Sequence, residues 1–121
     1  MRIFKYKTFE KWAKKQGMSN ADLKKAIAEI QKGLIDANLG GDVYKKRIGL
    51  HGKGKRSSHR TIIFMKIQDK AIFAHGFTRA EKGNITKNEL EGFKVMAKAF
   101  LSLNDDQINI LIGKQHLIEV L

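Results

Sequence analysis

Two neighbouring segments carry basic side chains at a spacing that would bring them onto one surface. Lys45 and Arg47 are two residues apart in a stretch typical of a β-strand, so they would share one face of it. Arg60 opens the next apolar stretch and could meet them across a strand pair. The pattern predicts a cationic cluster on one face of a sheet. The alternative is that each of these side chains is separately exposed to solvent.

A cluster of this kind has the chemistry to act on a phosphodiester. Guanidinium groups bind phosphate in a bidentate manner and stabilise the charge that develops on phosphorus, and a lysine can be tuned toward proton transfer. Such a site would need RNA, whose own 2′-hydroxyl is the nucleophile that the protein only has to align and deprotonate. The chain has no G-x-S-x-G, H-E-x-x-H or P-loop motif, and without cysteine it has no thiol chemistry.

Histidines supply few further candidates. His51 lies within a glycine-rich basic stretch and His59 directly follows it; imidazoles in such a stretch are more often phosphate contacts or spectators than acid–base catalysts. His75 lies in an apolar stretch and is expected to be a packed structural residue. The four histidines lack metal-ligand spacing, so we expect no metal and no other cofactor. Three aromatic residues are expected to pack in the fold: Tyr6, Trp12 and Tyr44.

The net charge of +12, from 24 basic and 12 acidic side chains, predicts a polyanionic partner. Between Asp42 and Asp69 there is no acidic residue, which marks this stretch as the candidate binding surface. The cations within it are Lys45, Lys46, Arg47, Lys53, Lys55, Arg56, Arg60 and Lys66. A solvated basic face with no specific ligand is the alternative.

The length of 121 residues predicts one domain, covering residues 1–121. The first residues alternate charged and apolar side chains, so they resemble neither a signal peptide nor a membrane span, and we expect a cytoplasmic protein without a membrane partner. Periodicity and capping signals predict strands over residues 2–7, 43–48, 60–67, 71–77 and 117–120. Helices are predicted to begin at Thr8, Ser19, Thr86 and Asn104.

Loops are predicted over residues 35–42 and 49–58, the second rich in glycine and lysine and expected to be poorly ordered without a ligand. The element order predicts an α+β fold, in which N-terminal and C-terminal helices pack on a small, twisted, mainly antiparallel sheet.

Three segments in this order resemble a known family. They are residues 43–48 (VYKKRI), 52–63 (GKGKRSSHRTII) and 76–85 (GFTRAEKGNI). Together they look like the RelE/HigB-type toxins of type II toxin–antitoxin modules, in the RelE/ParE superfamily, over roughly residues 40 to 103. The resemblance implies a RelE-like fold and a ribosome-dependent, metal-independent endoribonuclease that cuts messenger RNA, leaving a 2′,3′-cyclic phosphate and a 5′-hydroxyl.

The resemblance also assigns roles to residues. Lys45 corresponds to the general base, Arg47 to a neighbouring basic position, Arg60 to the phosphate-stabilising arginine and Arg79 to a cation at a strand end. The implied RNA-binding residues are Lys46, Lys53, Lys55, Arg56, His59 and Lys82. Some relatives have an arginine and a tyrosine where this chain has Ala80 and Thr86, so the general acid stays open between Lys82 and His59.

The family further implies a cognate antitoxin, often DNA-binding, that would cover the basic face, besides ribosome and messenger RNA as partners. The apolar stretch 107–121 is either core or antitoxin contact. Two other functions remain open on the sequence: a nonenzymatic RNA- or DNA-binding module, and a gyrase-inhibiting toxin of the same superfamily.

Overall fold

The computed structural model describes residues 1–50 and 59–121, which form a six-stranded sheet with helices on both faces. The strands are β1 (Arg2–Tyr6), β2 (Ala37–Gly40), β3 (Val43–Arg47), β4 (His59–Lys66), β5 (Lys70–Thr78) and β6 (Leu117–Glu119). The helices are α1 (Lys7–Lys15), α2 (Asn20–Gln31), α3 (Lys87–Leu101) and α4 (Asp105–Gly113).

The strands are arranged in the order β2-β3-β4-β5-β1-β6. Only the β1–β5 pair is parallel, and the other four pairs are antiparallel. The segment from β2 to β5 is a run of antiparallel neighbours, whereas β1 inserts between β5 and β6 and joins residues far apart in the chain. The predicted α+β fold with a mainly antiparallel sheet is confirmed.

The predicted loop over residues 35–42 is partly wrong, because it contains β2. Ala37 and Asn38 pair with Lys45 and Tyr44 of β3. The strand is only four residues long and ends in a turn where Gly40 and Gly41 have positive φ angles of 84° and 60°. So short an edge strand, ending in glycine, gives too little alternation to be recognised in the sequence.

Three of the four helix starts are confirmed as complete capping boxes, at Ser19, Thr86 and Asn104. The first helix begins earlier than predicted, at Lys7, and its N-cap residue Tyr6 makes no side-chain capping bond. Strand β1 therefore runs directly into α1. None of the helices within residues 1–50 and 59–121 is long and apolar enough to cross a membrane.

The sheet separates two hydrophobic cores. On one face, α1 and α2 bury apolar side chains against β3, β4 and β5, among them Phe9, Leu23, Ile27, Ile63 and Phe73. On the other face, α3 and α4 bury Ala97, Phe100 and Ile108 against Phe4, Val43, Ile62, Phe64 and Ile72. The central strands are apolar on both faces, which fixes which residues of β3 and β4 point to each side.

The close contact between α1 and β5 depends on a glycine. The indole of Trp12 lies directly on Gly76, where an added Cβ would be 2.2 Å from two ring carbons. The same indole ring also packs against Phe9, at 5.7 Å between centroids. Trp12 is thus a packing residue, as the sequence indicated, and Gly76 is required where it lies.

We expect Gly76→Ala to destabilise the protein by about 1–3 kcal/mol, the range for overpacking a core, because the indole would have to move. Chemical denaturation measures the loss, and Gly92→Ala is the matched control. Gly92 lies within α3 with open space around its Cβ position, so alanine there should stabilise by about 0.5–1 kcal/mol. Equal effects of both changes would contradict the proposed contact.

Candidate active site

The register between β3 and β4 brings the predicted cations together on the face covered by α3. Arg47 is paired directly with Arg60, and Lys45 is paired with Ile62. Because Ile62 packs in the core beneath α3, Lys45, Arg47 and Arg60 all belong to that side of the sheet. This is the shared face that strand alternation predicted.

Arg79 adds a third guanidinium to the cluster. It directly follows β5 and its side chain is exposed. Arg60 is only 7% exposed, and burial lowers its pKa, with smaller contributions in the same direction from Arg47 and Arg79. A guanidinium nevertheless stays protonated at neutral pH. We name Arg47, Arg60 and Arg79 the arginine cluster; its positive charge is carried by β3, by β4 and by the turn that follows β5.

Asp36 is the acidic residue that counters this charge. Its carboxylate accepts a hydrogen bond from the Arg47 backbone N–H and lies 3.9 Å from Arg47 Nε. Its charge acts to raise the pKa of Arg60, against the larger effect of burial. Sequence reasoning missed Asp36, because it immediately precedes the unrecognised strand β2. Asp36 orients Arg47 but leaves the cluster with an excess of positive charge.

The turn that carries Arg79 is held from two sides. Glu81 Oε1 accepts hydrogen bonds from Trp12 Nε1 at 3.1 Å and from the Thr78 N–H at 2.8 Å, and these bonds lower the pKa of Glu81. Lys82 forms an ion pair with Glu89 in the first turn of α3. The turn is therefore tied to α1 and to α3, which positions the residue at its start.

Lys45 and Lys46 are neighbours in sequence with opposite surroundings. Lys45 is half-buried on the arginine side and forms no ion pair within the described part of the chain. Lys46 is 3% exposed on the other face, where its Nζ lies 3.1 Å from Glu29 Oε1 and donates to the Leu34 carbonyl at 2.7 Å. The expectation that Lys46 contacts RNA is therefore wrong, because its ammonium group is bound by Glu29 and Leu34 inside the fold.

Neither candidate for the general acid lies in the arginine cluster. His59 points to the α1 side, where its Nε2 is 2.9 Å from Gln16 Oε1 and its ring is 6.1 Å from that of Trp12. Lys82 is engaged by Glu89. The structure thus places His59 on the face opposite the arginine cluster and Lys82 in an ion pair with α3, and the proton donor to the leaving group stays unassigned.

Three predicted RNA contacts, Lys53, Lys55 and Arg56, fall outside the described residues, and so does the candidate His51. Within residues 1–50 and 59–121, no three side chains of His, Asp or Glu are grouped as metal ligands would be. His75 is packed, as expected, between the rings of Phe77 at 6.0 Å and Phe93 at 5.7 Å. Its burial lowers its pKa, and Lys82 acts in the same direction.

The fold and the arginine cluster define a small α+β protein with several guanidinium groups gathered at one face of its sheet. The family comparison is more specific. A family model described as the RelE toxin of the RelE/RelB toxin–antitoxin system matches residues 1–120. The chain belongs to this family and is a toxin of the kind that pairs with an antitoxin, which confirms the resemblance drawn from residues 43–85. A search of curated proteins found none that matches.

We expect Lys46→Ala to lower the free energy of unfolding by about 3 kcal/mol, because it leaves the Glu29 carboxylate and the Leu34 carbonyl without their cation. The adjacent change Lys45→Ala should cost less than about 1 kcal/mol, since Lys45 has no such partners. Urea denaturation of the two variants measures the difference. Similar losses in both would refute the structural role of Lys46.

Histidine 75 should make the fold sensitive to acid. The pKa of His75 is below its ordinary value of 6.5, so below that pH the unfolded chain binds a proton that the folded chain does not. This contribution to stability is present above pH 6.5 and is lost as the pH falls through and below it. We expect His75→Gln to reduce the drop in Tm between about pH 7.5 and 5.5. The exposed His116→Gln is the control, and an equal reduction there would contradict this assignment.

Proposed function

We propose that this toxin inhibits translation by cutting messenger RNA on the ribosome, as a metal-independent endoribonuclease. The observation that carries the proposal is the position of Arg60. It is buried within a sheet, directly opposite one arginine and close to another, and the carboxylate of Asp36 lies beside the same group. Groups of like charge held together in this way repel one another unless an anion binds between them.

The reaction would begin with attack of the RNA 2′-oxygen on the adjacent phosphorus. Lys45, on the same sheet face, is the residue that we assign to accept the 2′-hydroxyl proton. The new bond joins the 2′-oxygen to phosphorus, and the bond from phosphorus to the 5′-oxygen breaks. The products are a 2′,3′-cyclic phosphate and a 5′-hydroxyl, whose proton comes from a donor that is not assigned.

The arginine cluster would stabilise the pentacovalent phosphorane. Negative charge increases on the non-bridging oxygens as the 2′-oxygen attacks, and guanidinium donors fixed in advance interact more strongly with that state than with the substrate. Asp36 holds the backbone of Arg47 in place, and the Glu81 and Lys82 contacts hold the turn of Arg79. Little rearrangement is then needed when the phosphate arrives.

The proposed reaction depends on the ribosome because the toxin and the ribosome supply different requirements of the cleavage. The described residues supply charge and a candidate base, whereas in-line attack also requires the RNA to adopt a splayed conformation around the scissile bond. A codon held in the decoding site would supply that conformation.

Residues 1–121 act as one domain in this proposal, and the toxin acts in the cytoplasm, where ribosomes are. Lys53, Lys55 and Arg56 stay predicted contacts to RNA phosphates.

The antitoxin is the second proposed partner. A protein that masks the arginine cluster must bring acidic side chains to it, since charged guanidinium groups are costly to cover with apolar groups. We propose that a segment of the cognate antitoxin, whose remaining part binds DNA, supplies these carboxylates. Binding would then compete directly with RNA for Arg47, Arg60 and Arg79.

The test is expression in bacterial cells with mapping of the 5′-hydroxyl ends of messenger RNA during growth arrest. Arg60→Ala should lower cleavage about 10²–10³-fold, as the loss of one preorganised donor does, and Lys45→Ala should also lower it strongly. Arg60→Lys, which keeps the charge but loses the bidentate geometry, should stay well below wild type. Lys98→Ala, an exposed change on α3, is the control.

Each alternative gives a different result. Growth arrest with intact messenger RNA and DNA damage signalling would replace the proposal with gyrase inhibition. A gradual loss of toxicity with every lysine or arginine removed, Lys98 included, would indicate a nonenzymatic nucleic-acid-binding module. New 5′-hydroxyl ends that persist in the Arg60→Ala variant would refute the role given to the arginine cluster.

A further inference from the structure

The first two helices form a second basic surface, distinct from the arginine cluster. Seven lysines of α1 and α2 and their ends are exposed: Lys7, Lys11, Lys14, Lys15, Lys24, Lys25 and Lys32. We call this surface the lysine face. Residues 1–34 contain nine basic and three acidic side chains, whereas residues 84–121 contain four and five, so the segment with α1 and α2 is far more basic than the segment with α3 and α4.

The three acidic residues in this segment are all engaged in the fold. Glu10 pairs with the buried Lys5, at 3.0 Å, and Glu29 pairs with the buried Lys46, at 3.1 Å. Asp22 caps α2 through the backbone N–H and hydroxyl of Ser19. Because these carboxylates satisfy internal donors, they do little to neutralise the seven exposed lysines.

The lysines are arranged in rows along the helices. Lys7, Lys11 and Lys15 follow one another at intervals of four residues on α1 and span about 12 Å along its axis. Lys25 and Lys32 are seven residues apart, two turns of α2. Rows of exposed lysines at this spacing suit an extended polyanion, which carries a charge at every phosphate.

The lysine face lies on the opposite side of the sheet from the arginine cluster. Helices α1 and α2 cover the core that contains Ile63 and Phe73, whereas Lys45, Arg47 and Arg60 share the α3 face. One phosphate backbone bound at the arginine cluster therefore leaves the lysine face free for another.

The composition of the surface distinguishes nucleic acid from protein as its occupant. Among the described residues, the exposed large apolar side chains include Val95 and Met96 of α3 and Ile110 of α4, but none of α1 or α2. Protein interfaces need an apolar centre, whereas interfaces with nucleic acid are polar and strongly positive. The lysine face has the second character.

We propose that the lysine face binds the phosphate backbone of double-helical RNA, so that the toxin holds a structured RNA on one side while the arginine cluster acts on another strand. Lysines act as point charges and contact phosphates without selecting a sequence. This binding needs no cleavage. It would add affinity for an RNA-rich particle and contribute nothing to the chemical step.

The experiment compares two variants of the full chain with the same change in charge. The first replaces Lys11, Lys14 and Lys25 with glutamine, which keeps helix propensity nearly unchanged. The control replaces three exposed lysines outside the lysine face and outside residues 42–69 with glutamine: Lys87, Lys98 and Lys114. Circular dichroism verifies that both variants fold. The probe is an RNA duplex of about 16 base pairs, long enough to present two minor grooves.

Fluorescence anisotropy gives the Kd of the duplex at several salt concentrations. The magnitude of the slope of log Kd against log salt should fall by about 2–3 in the first variant, for three lost phosphate contacts, and by less than about 1 in the control. The duplex is not cleaved in this assay, so a failure of the endoribonuclease proposal leaves the result unaffected.

Equal decreases in both variants would overturn the proposal, because net charge alone would then explain RNA affinity. An unchanged slope in the first variant would also overturn it. If that variant binds RNA as wild type does but forms a weaker complex with the antitoxin, the occupant is an acidic protein segment and the assignment to RNA is wrong.

Discussion

The register between β3 and β4 is the constraint on which the rest of the molecule depends. A shift of β3 by one residue relative to β4 would exchange the two faces of β3. Lys46 would then point to the side of Arg60, and Lys45 would point into the opposite core. Two buried interactions oppose such a shift: the Thr61 hydroxyl donates to the Lys46 carbonyl at 2.9 Å, and the Lys46 ammonium pairs with Glu29 of α2. The apolar packing on both faces of β4 acts in the same direction. The candidate site is therefore positioned by residues that take no part in its chemistry.

The arginine cluster conflicts with what local stability would favour. Like charges placed directly opposite each other destabilise a strand pair, and burial adds to that cost for Arg60. The two cores, which bury large aromatic and aliphatic side chains on both faces of the sheet, provide the stability that tolerates it. Local preference and global fold disagree in this way mainly at functional or strained sites.

Sequence alone predicted those features that depend on neighbours in the chain. The β4–β5 hairpin, the three capping boxes and the common face of Lys45 and Arg47 follow from alternation and from local capping chemistry. What it missed depends on contacts between distant segments. The strand β2 is too short to show a pattern, and so Asp36 was not recognised. The partner of Lys46 lies on α2 and that of His59 on α1, and neither pairing leaves a signal in the residues themselves.

The parallel pairing of β1 with β5 also determines the order in which this fold can be assembled. Residues 2–5 pair with residues 70–73 on one edge of β1, and residues 4–6 pair with residues 117–119 on the other, whereas β3 and β4 pair with their nearest neighbours in the chain. Closing long loops costs more entropy than closing short ones, so the local meander should nucleate folding and the first strand to be synthesised should be among the last to dock. Substitutions in the β4–β5 hairpin should then mainly change the folding rate, and substitutions in β1 or β6 should mainly change the unfolding rate.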